Sequence, residues 1–593
     1  MKRAHRMPFG ATLQDDGTLF RLFAPKARDV ALRLEGRDRP MPGNDGWFEL
    51  AVAEAGPGAL YQYVIDGKQA VPDPASRFQP RDVLGPSEVI DPEAFAWDDD
   101  SWRGRPWCEA VIYELHLGAF TRDGTYRGAL AELERLAALG ITAIELMPLA
   151  DFAGTRNWGY DGVLPFTPDS SYGRPEDLKT LICAAHRLGL MVFIDVVYNH
   201  FGPEGNYLAL YAPTFFAQGE TGWGQSLDFG GIARRFFIEN ALYWLTEYHV
   251  DGLRFDAVHA IRDDNQPHFL EELAQAARER YDDRPIHLVL ENDANEAHLL
   301  ERNATGAPLF YDAQWNDDFH HAMHVVLTGE SDGYYADYTA APVARLGRCL
   351  AEGFAYQGEY SSFRDAARGV PSADLPPLAF VNFLQNHDQI GNRALGERLI
   401  QLAPRAALKA AIAIQLLAPS PPLLFMGEEV GARAPFLFFC DFAGELADNV
   451  RDGRRREFAR FPAFASAEAR ERIPDPLACE TFARSNIAPA LVSPDREITA
   501  LYRELLVLRR RELVPRLTGH RQFVAQYRCD GRSLSVCWTL ADGSRLALAA
   551  NLAAVPEAIL AQPLGRVIWG NTPENGRLPP WTALWSIEES AAR

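Results

Sequence analysis

The sequence contains no Cys-x-x-Cys pair, and its seven cysteines are odd in number and scattered along the chain. That spacing excludes a zinc ribbon and a disulfide framework, and it fits thiols filling a core in a reducing compartment. Positive charge is in deficit: 59 Lys and Arg face 80 Asp and Glu, for a formal net charge of -21. Nucleic acid and anionic membrane are therefore disfavoured as partners, because phosphate binding needs clustered cations, whereas a neutral ligand is allowed. A membrane span is missing as well. The start MKRAHRMPFG has no apolar core of a signal peptide, and the most apolar long stretch, Ala406 to Met426, is broken by Lys409, Gln415 and three prolines. The expectation is a soluble, cytoplasmic protein, a monomer or homodimer. No Gly-rich phosphate turn follows a strand-like run, which removes support for a doubly wound nucleotide-binding sheet.

What is present is an ordinary globular composition, 47% hydrophobic and 23% charged, in 593 residues. That length exceeds what one core supports, so one large domain with smaller satellites is expected. TLFRLFAP, VALRLEG, GWFELAV and ALYQYVIDG, within residues 18 to 66, read as short strands, the last ending in an Asp66-Gly67 turn signal. They predict an N-terminal immunoglobulin-like β-sandwich over residues 1–90. The Pro-dense, aperiodic stretch VPDPASRFQPRDVLGPSEVIDP reads as an extended connector, and the boundary segment is placed at 91–104.

From Cys108 the pattern changes to short apolar runs, each followed by a helical stretch, as parallel strands covered on both faces require. The runs are AVIYELHL, ITAIELMPL, LMVFIDVVYNH, VDGLRFDAV, IHLVLEND, LFYDAQWND, LAFVNFLQNHDQ and PLLFMGEE. GALAELERLAALG, PEDLKTLICAAHRLG, ARRFFIENALYWLTEYH and HFLEELAQAARERY carry the i, i+3, i+4 spacing of amphipathic helices between them. Eight strand-helix repeats, closed by ITALYRELLVLRRREL, predict an α/β fold: a (β/α)8 TIM barrel over residues 105–515. After it, RQFVAQYR, SLSVCWTL, RLALAANL and TALWSIEE alternate again, with Asp530-Gly531 and Asp542-Gly543 as hairpin signals. They predict a C-terminal antiparallel β-sandwich over 516–593, a stabilising cover for the barrel.

Barrel active sites lie at the C-terminal ends of the strands, so polar residues there carry weight. The third run ends in Asp195, Asn199 and His200; the fourth carries Arg254, Asp256 and His259; the fifth ends in Glu291 and the seventh in Asn386, His387 and Asp388. Carboxylates crowded on one rim repel one another unless a function holds them there. Arg254 and Asp256 stand at i and i+2, so both point to one face of their strand. Neighbouring strands four and five bring Asp256 and Glu291 to roughly 5 to 5.5 Å, the separation of a retaining glycosidase pair. Asp256 is therefore read as the nucleophile, kept ionised by Arg254, and Glu291 as the acid and base, raised by its apolar strand and by Asp256. Asp388 can stabilise positive charge at the anomeric carbon or bind sugar hydroxyls, and His200 and His387 can donate to the same ring.

DVVYNH (195–200), GLRFDAVH (252–259), LVLEND (288–293) and FLQNHDQIG (383–391) resemble, in that order, the four conserved regions of the alpha-amylase family of glycoside hydrolases. The resemblance implies Asp256 as nucleophile, Glu291 as proton donor and Asp388 as transition-state stabiliser. It also implies substrate contacts along the same motifs, at Phe255, Ala257, Val258 and His259 and at Gln389, Ile390, Gly391 and Asn392, with Tyr160 in NWGYDG as a stacking platform. Aromatic faces suit the apolar faces of pyranose rings. ADFAGTRNWGYDGVLPFTPDSSYGRPEDLK, QNHDQIGNRALGERL and LFMGEEVGARAPFLFF resemble the trehalohydrolase branch of that family. That likeness implies maltooligosyltrehalose, a neutral α-glucan oligosaccharide, as substrate, cleaved at the α-1,4 bond next to its terminal trehalose.

The loops that would read the trehalose are Trp223, Gln314 to Asp317 (with Trp315 and Asn316 between), and Phe363-Arg364, each with packing as the alternative role. A glucan branching enzyme is the rival within the family; its fourth region reads Ser-His-Asp-Glu where this chain has NHDQ. A non-catalytic glucan-binding protein on the same scaffold would lack one of the three carboxylates, and none is missing. His320 and His324 stand at i, i+4 without a third ligand, and Asn199 matches a calcium position of many amylases but is followed by few further carboxylates. No metal and no cofactor are expected.

Overall fold

The computed structural model describes residues 4–220, 224–281, 284–518 and 523–590. Its centre is a closed barrel of eight parallel strands. They are β1 (Ile112–Leu115), β2 (Ala143–Leu146), β3 (Met191–Val196), β4 (Gly252–Phe255), β5 (His287–Leu290), β6 (Ala313–Trp315), β7 (Phe380–Phe383) and β8 (Pro422–Phe425). Each lies within one of the eight apolar runs, and every residue of these strands is buried, as inward and outward faces both meet packing. Ile112, Met191, Phe193, Val289, Trp315 and Phe383 help fill the interior.

Around the barrel run α1 (Leu133–Leu139), α2 (Pro175–Arg187), α3 (Ile232–Glu247), α4 (Phe269–Arg280), α5 (Asp317–Thr328), α6 (His387–Gly391), α7 (Arg405–Leu417), α8 (Gly444–Glu457) and α9 (Arg496–Leu508). One repeat departs from the expected pattern. The crossover from β5 to β6 holds only a 3-10 turn, His298–Leu300, because ENDANEAHLLERNATGAP is rich in Asn, Gly and Pro and offers no sustained apolar stripe.

The N-terminal unit is two antiparallel sheets whose central strands, Gly17–Phe23 and Val30–Leu34, bury alternate side chains. The Asp66-Gly67 turn joins Leu60–Ile65 to Gln69–Val71 with both residues at positive φ, 50° and 65°. Beyond it, the connector is pinned under the barrel: Trp102 Nε1 donates to Asp251 Oδ1 at 2.7 Å, and His186 bridges Asp99 and Asp251. At the other end, Val524–Asp530, Ser533–Thr539 and Arg545–Asn551 form hairpins at both Asp-Gly signals, in a five-stranded sheet. Trp538 Nε1 reaches the Leu350 carbonyl at 2.9 Å, tying that sheet to a barrel-side helix, Pro342–Glu352. No helix among the described residues is long and apolar enough to cross a membrane.

Candidate active site

Parallel pairing places Arg254 opposite Val289 and Phe255 opposite Leu290, so Asp256 and Glu291 leave the ends of β4 and β5 side by side. The chain then kinks: Ala257 takes φ 40° and ψ 49°, a left-handed conformation rare outside glycine and Asn. The kink turns the Ala257 N–H out of the ladder and onto Glu291 Oε2 at 2.8 Å, while the next amide, Val258 N–H, takes the Glu291 carbonyl at 3.0 Å. A local backbone departure thus orients a carboxylate that local sequence alone does not reach.

Arg254 is fully buried and binds three acids. Its Nη1 donates to Asp195 Oδ2 at 2.6 Å and to Asp256 Oδ1 at 3.0 Å, and its Nη2 donates to Glu291 Oε2 at 2.7 Å. Its guanidinium lies 4.1 Å from the Trp315 ring centroid, so Trp315 supports it from below. The sequence assigned Arg254 to Asp256 alone; the fork reaches both carboxylates of the proposed pair. Burial moves Asp256 above the usual aspartate range, outweighing the pull of Arg254. A hydrogen bond from Asn199 Nδ2 to Asp256 Oδ2, 2.8 Å, adds to the forces favouring the ionised form. Glu291 is raised to about 7, first by burial and then, against Arg254, by the charges of Asp256 and Asp388.

Asp388 sits in the first turn of α6, held by Asn392 Nδ2 at 3.0 Å. His387 Nε2 lies 3.5 Å from Asp388 Oδ1, and its Nδ1 meets Glu114 Oε1 at 2.5 Å. Tyr160 stacks on His387 with centroids 5.0 Å apart, its hydroxyl donating to Asp195 Oδ2 at 2.6 Å. His200 engages the protein at both ring nitrogens, Nδ1 with Asn199 Oδ1 and Nε2 with the Tyr160 carbonyl. The ring the sequence read as a sugar donor is thus placed to orient Asn199 and the Tyr160 loop.

These residues open into one cleft of about 710 Å³. Of the residues singled out in the sequence, Tyr160, His200, Asp256, Ala257, His259, Glu291, Asp317, Phe363, Arg364, His387, Asp388, Gln389 and Asn392 line it. Phe255, Val258, Gln314, Trp315, Asn316, Ile390 and Gly391 are buried beside it instead. They build its walls: Asn316 accepts from Phe319 N to cap α5, and a Cβ on Gly391 would lie 2.1 Å from the Trp158 ring. Trp223 lies outside the described residues. Asp317 is pushed up to about 8, chiefly by burial and then by Glu291 and Asp388, so it enters the cleft as a neutral acid.

Several lining residues were not singled out in the sequence, among them Asp293 at the end of LVLEND, His321 and Tyr334, and Val450, Arg454 and Glu457 from α8. Beneath the floor, Glu114 and Glu145 are paired in register on β1 and β2. Charged residues inside otherwise apolar parallel-strand runs were the signal for those two. The His320 and His324 pair is spent on the protein: His320 meets the Leu384 carbonyl and Tyr335, and His324 meets Glu330. Asn199 donates to both the carbonyl and the carboxylate of Asp256.

Comparison with known proteins follows the same outline. Residues 8–92 match carbohydrate-binding module 48, the isoamylase N-terminal domain; 90–211 match the alpha amylase catalytic domain; and 523–585 match a domain of unknown function, DUF3459. The malto-oligosyltrehalose trehalohydrolase of Saccharolobus solfataricus is 44% identical over 76% of this chain and 80% of its own. The enzyme of that name from Deinococcus radiodurans is 45% identical over 84% of this chain and 82% of its own. A crystal structure from Salmonella typhimurium, assigned to alpha amylase, is 46% identical and superposes with a TM-score of 0.94 over 98% of this chain and 100% of that one.

Proposed function

The chain belongs to the malto-oligosyltrehalose trehalohydrolase family, and from that premise we propose that it is a retaining glycoside hydrolase releasing trehalose from maltooligosyltrehalose. The observation that carries the mechanism is the pairing of Asp256 and Glu291 on adjacent strands under one shared guanidinium.

Asp256 attacks the anomeric carbon of the glucosyl unit that precedes the trehalose. Glu291 protonates the departing glycosidic oxygen. Both of its donors, Arg254 Nη2 and Ala257 N–H, fall on Oε2, so the proton resides on Oε1. A value of about 7 suits a group that must give a proton and then take one from water. Asp388 balances the positive charge that grows at the anomeric carbon, and the resulting ester on Asp256 is hydrolysed by a water that Glu291 deprotonates. Two inversions leave the anomeric configuration unchanged.

The trehalose side is assigned to Asp317, Phe363 and Arg364, of which Phe363 is 44% exposed at the tip of the Tyr360–Ser361/Ala366–Ala367 hairpin. We divide the chain into 1–90, 91–104, 105–515 and 516–593, which keeps each sheet intact. Seven free cysteines support a cytoplasmic setting.

Incubation with maltotriosyltrehalose tests the reading: trehalose and maltotriose are expected, with the new reducing end formed in the retained configuration. Inverted product would overturn the nucleophile assignment. New α-1,6 branches on amylose would move the chain to the branching reaction.

A further inference from the structure

Below the sugar site lies a column of ionisable groups that the displacement reaction leaves without a task. Glu114 lies on β1 and is 1% exposed, yet its carboxylate does not point at the cleft. Its Oε1 is 2.5 Å from His387 Nδ1, and its Oε2 accepts the His387 backbone N–H at 3.3 Å. One side chain therefore grips both the ring and the main chain of the residue preceding Asp388. The opposite ring nitrogen, Nε2, faces Asp388. Apolar rings close the sides: Trp158 stands edge-on at 5.5 Å and Trp315 at 6.0 Å.

We propose that Glu114 is a positioning residue for this reaction: it holds His387 as a charged, fixed donor between itself and Asp388. Asp388 and its charge are thereby set relative to the anomeric carbon. The inference rests on the hydrolase reading of the same cleft.

The groups facing His387 support this arrangement. Asp388 is on its own helix, Glu114 on β1 with His116 just after it, Glu145 on β2, Tyr160 on the following loop, Asp195 on β3 and Arg254 on β4. Burial and Arg254 oppose a charge on the ring, but Asp388 and Glu114 outweigh them and bring it to about 9. Glu145 does not compete for the ring: neither of its oxygens has a hydrogen-bond partner among the described residues, and burial, then the neighbouring Glu114, hold its carboxyl well above the usual glutamate range. Of the acids beneath the ring, Glu114, Glu145 and Asp195, it is Glu114 that contacts it directly.

The test is the pH profile of kcat/KM for Glu114→Gln, which keeps the shape of the side chain and removes its charge. Without that charge His387 should hold its proton less tightly and titrate below about 9, with Asp388 still favouring the charged ring. Between about pH 7 and 8.5 the alkaline limb should then steepen from a one-proton toward a two-proton fall, with activity about tenfold lower at pH 8 and the loss in kcat rather than KM. A profile superimposable on wild type would overturn the proposal. If Glu114→Gln does not fold, Glu114→Asp decides, because it keeps the charge and withdraws it from the ring. A kcat loss of about tenfold with an unshifted profile is expected, and full kcat would overturn the assignment. Both variants are assayed on whichever α-1,4-glucan the wild type cleaves. Failure of trehalose release then counts against the substrate reading, whereas an unchanged Glu114→Gln profile, or full kcat in Glu114→Asp, counts against Glu114.

Discussion

The amide of Ala257 donates to the side chain of Glu291 rather than to its backbone carbonyl, which the next residue takes over. That exchange requires φ 40° at a residue with a Cβ, a conformation costing an L-residue roughly 1–2 kcal/mol. Ala257→Gly should relieve the cost, leaving the melting temperature equal or slightly higher and kcat within about threefold of wild type. Ala257→Val cannot take the conformation without strain, and kcat should fall by about 100-fold as Glu291 loses its orientation. Melting curves and initial rates on both variants check the pair of outcomes.

Arg254 should be intolerant even of lysine. A guanidinium can serve Asp195, Asp256 and Glu291 together because its two Nη atoms are held in one plane; an ammonium on a flexible stem cannot reproduce that fork. Arg254→Lys is expected to lower kcat/KM by at least about 100-fold. Arg254→Met leaves buried Asp195 and the partly buried Asp256 and Glu291 without their cation and should also cost about 3–5 kcal/mol of stability, read from denaturant unfolding.

The protonation of Glu291 links activity to stability. Its value rises from 4.5 to about 7 on folding, so the folded chain binds that proton more tightly. This contribution is complete below about pH 4.5 and is lost as pH climbs through about 7, amounting to roughly 3 kcal/mol. Glu291→Gln, permanently neutral, should therefore melt at a higher temperature than wild type at pH 8 and at a similar one near pH 4.5, while turnover drops by several orders of magnitude. In the wild type, kcat/KM should fall about tenfold per unit above pH 7 as the acid deprotonates. Equal melting at pH 8 would contradict the charge assignment.

Why the proposed pair is legible from sequence, and its support is not, has a physical reason. Buried parallel strands read as apolar runs, so a carboxylate at the end of one, such as Asp256 or Glu291, is conspicuous. The contact from Arg254 to Glu291 depends on register between strands 37 residues apart, which no local pattern encodes. Eight strand-helix repeats predict a helix between β5 and β6, and the Asn, Gly and Pro content of that stretch is why none forms. The sequence GELADNVRDGRRRE of α8 reads as a solvated helix, and only packing turns its Arg454 inward.

Asp256→Ala separates chemistry from folding. Asp256 is held by Arg254 and Asn199 but lines an open cleft, so truncation leaves a space water can enter. Turnover should fall by several orders of magnitude, with the cooperative unfolding transition retained. Near-normal turnover would remove Asp256 from the mechanism.

Arg454 of α8 should matter through the loop it holds. Its Nη2 donates to the carbonyl of Gly391 at 2.6 Å and to that of Arg393 at 3.2 Å, and its guanidinium is sandwiched between Phe438 and Phe458. Between those carbonyls lies Asn392, whose side chain fixes Asp388 at 3.0 Å. Arg454→Met keeps the apolar contact with the two rings and removes both bonds from Nη2, together with the bond from Nη1 to Glu457 Oε2, so the end of α6 can relax. We expect kcat/KM about tenfold lower, as for Asn392→Ala. Because both changes release the same carboxylate, the double variant should lose little more than either single one, an interaction of about 1 kcal/mol in the cycle. Fully additive losses would mean that α8 acts on the sugar directly and not through Asp388.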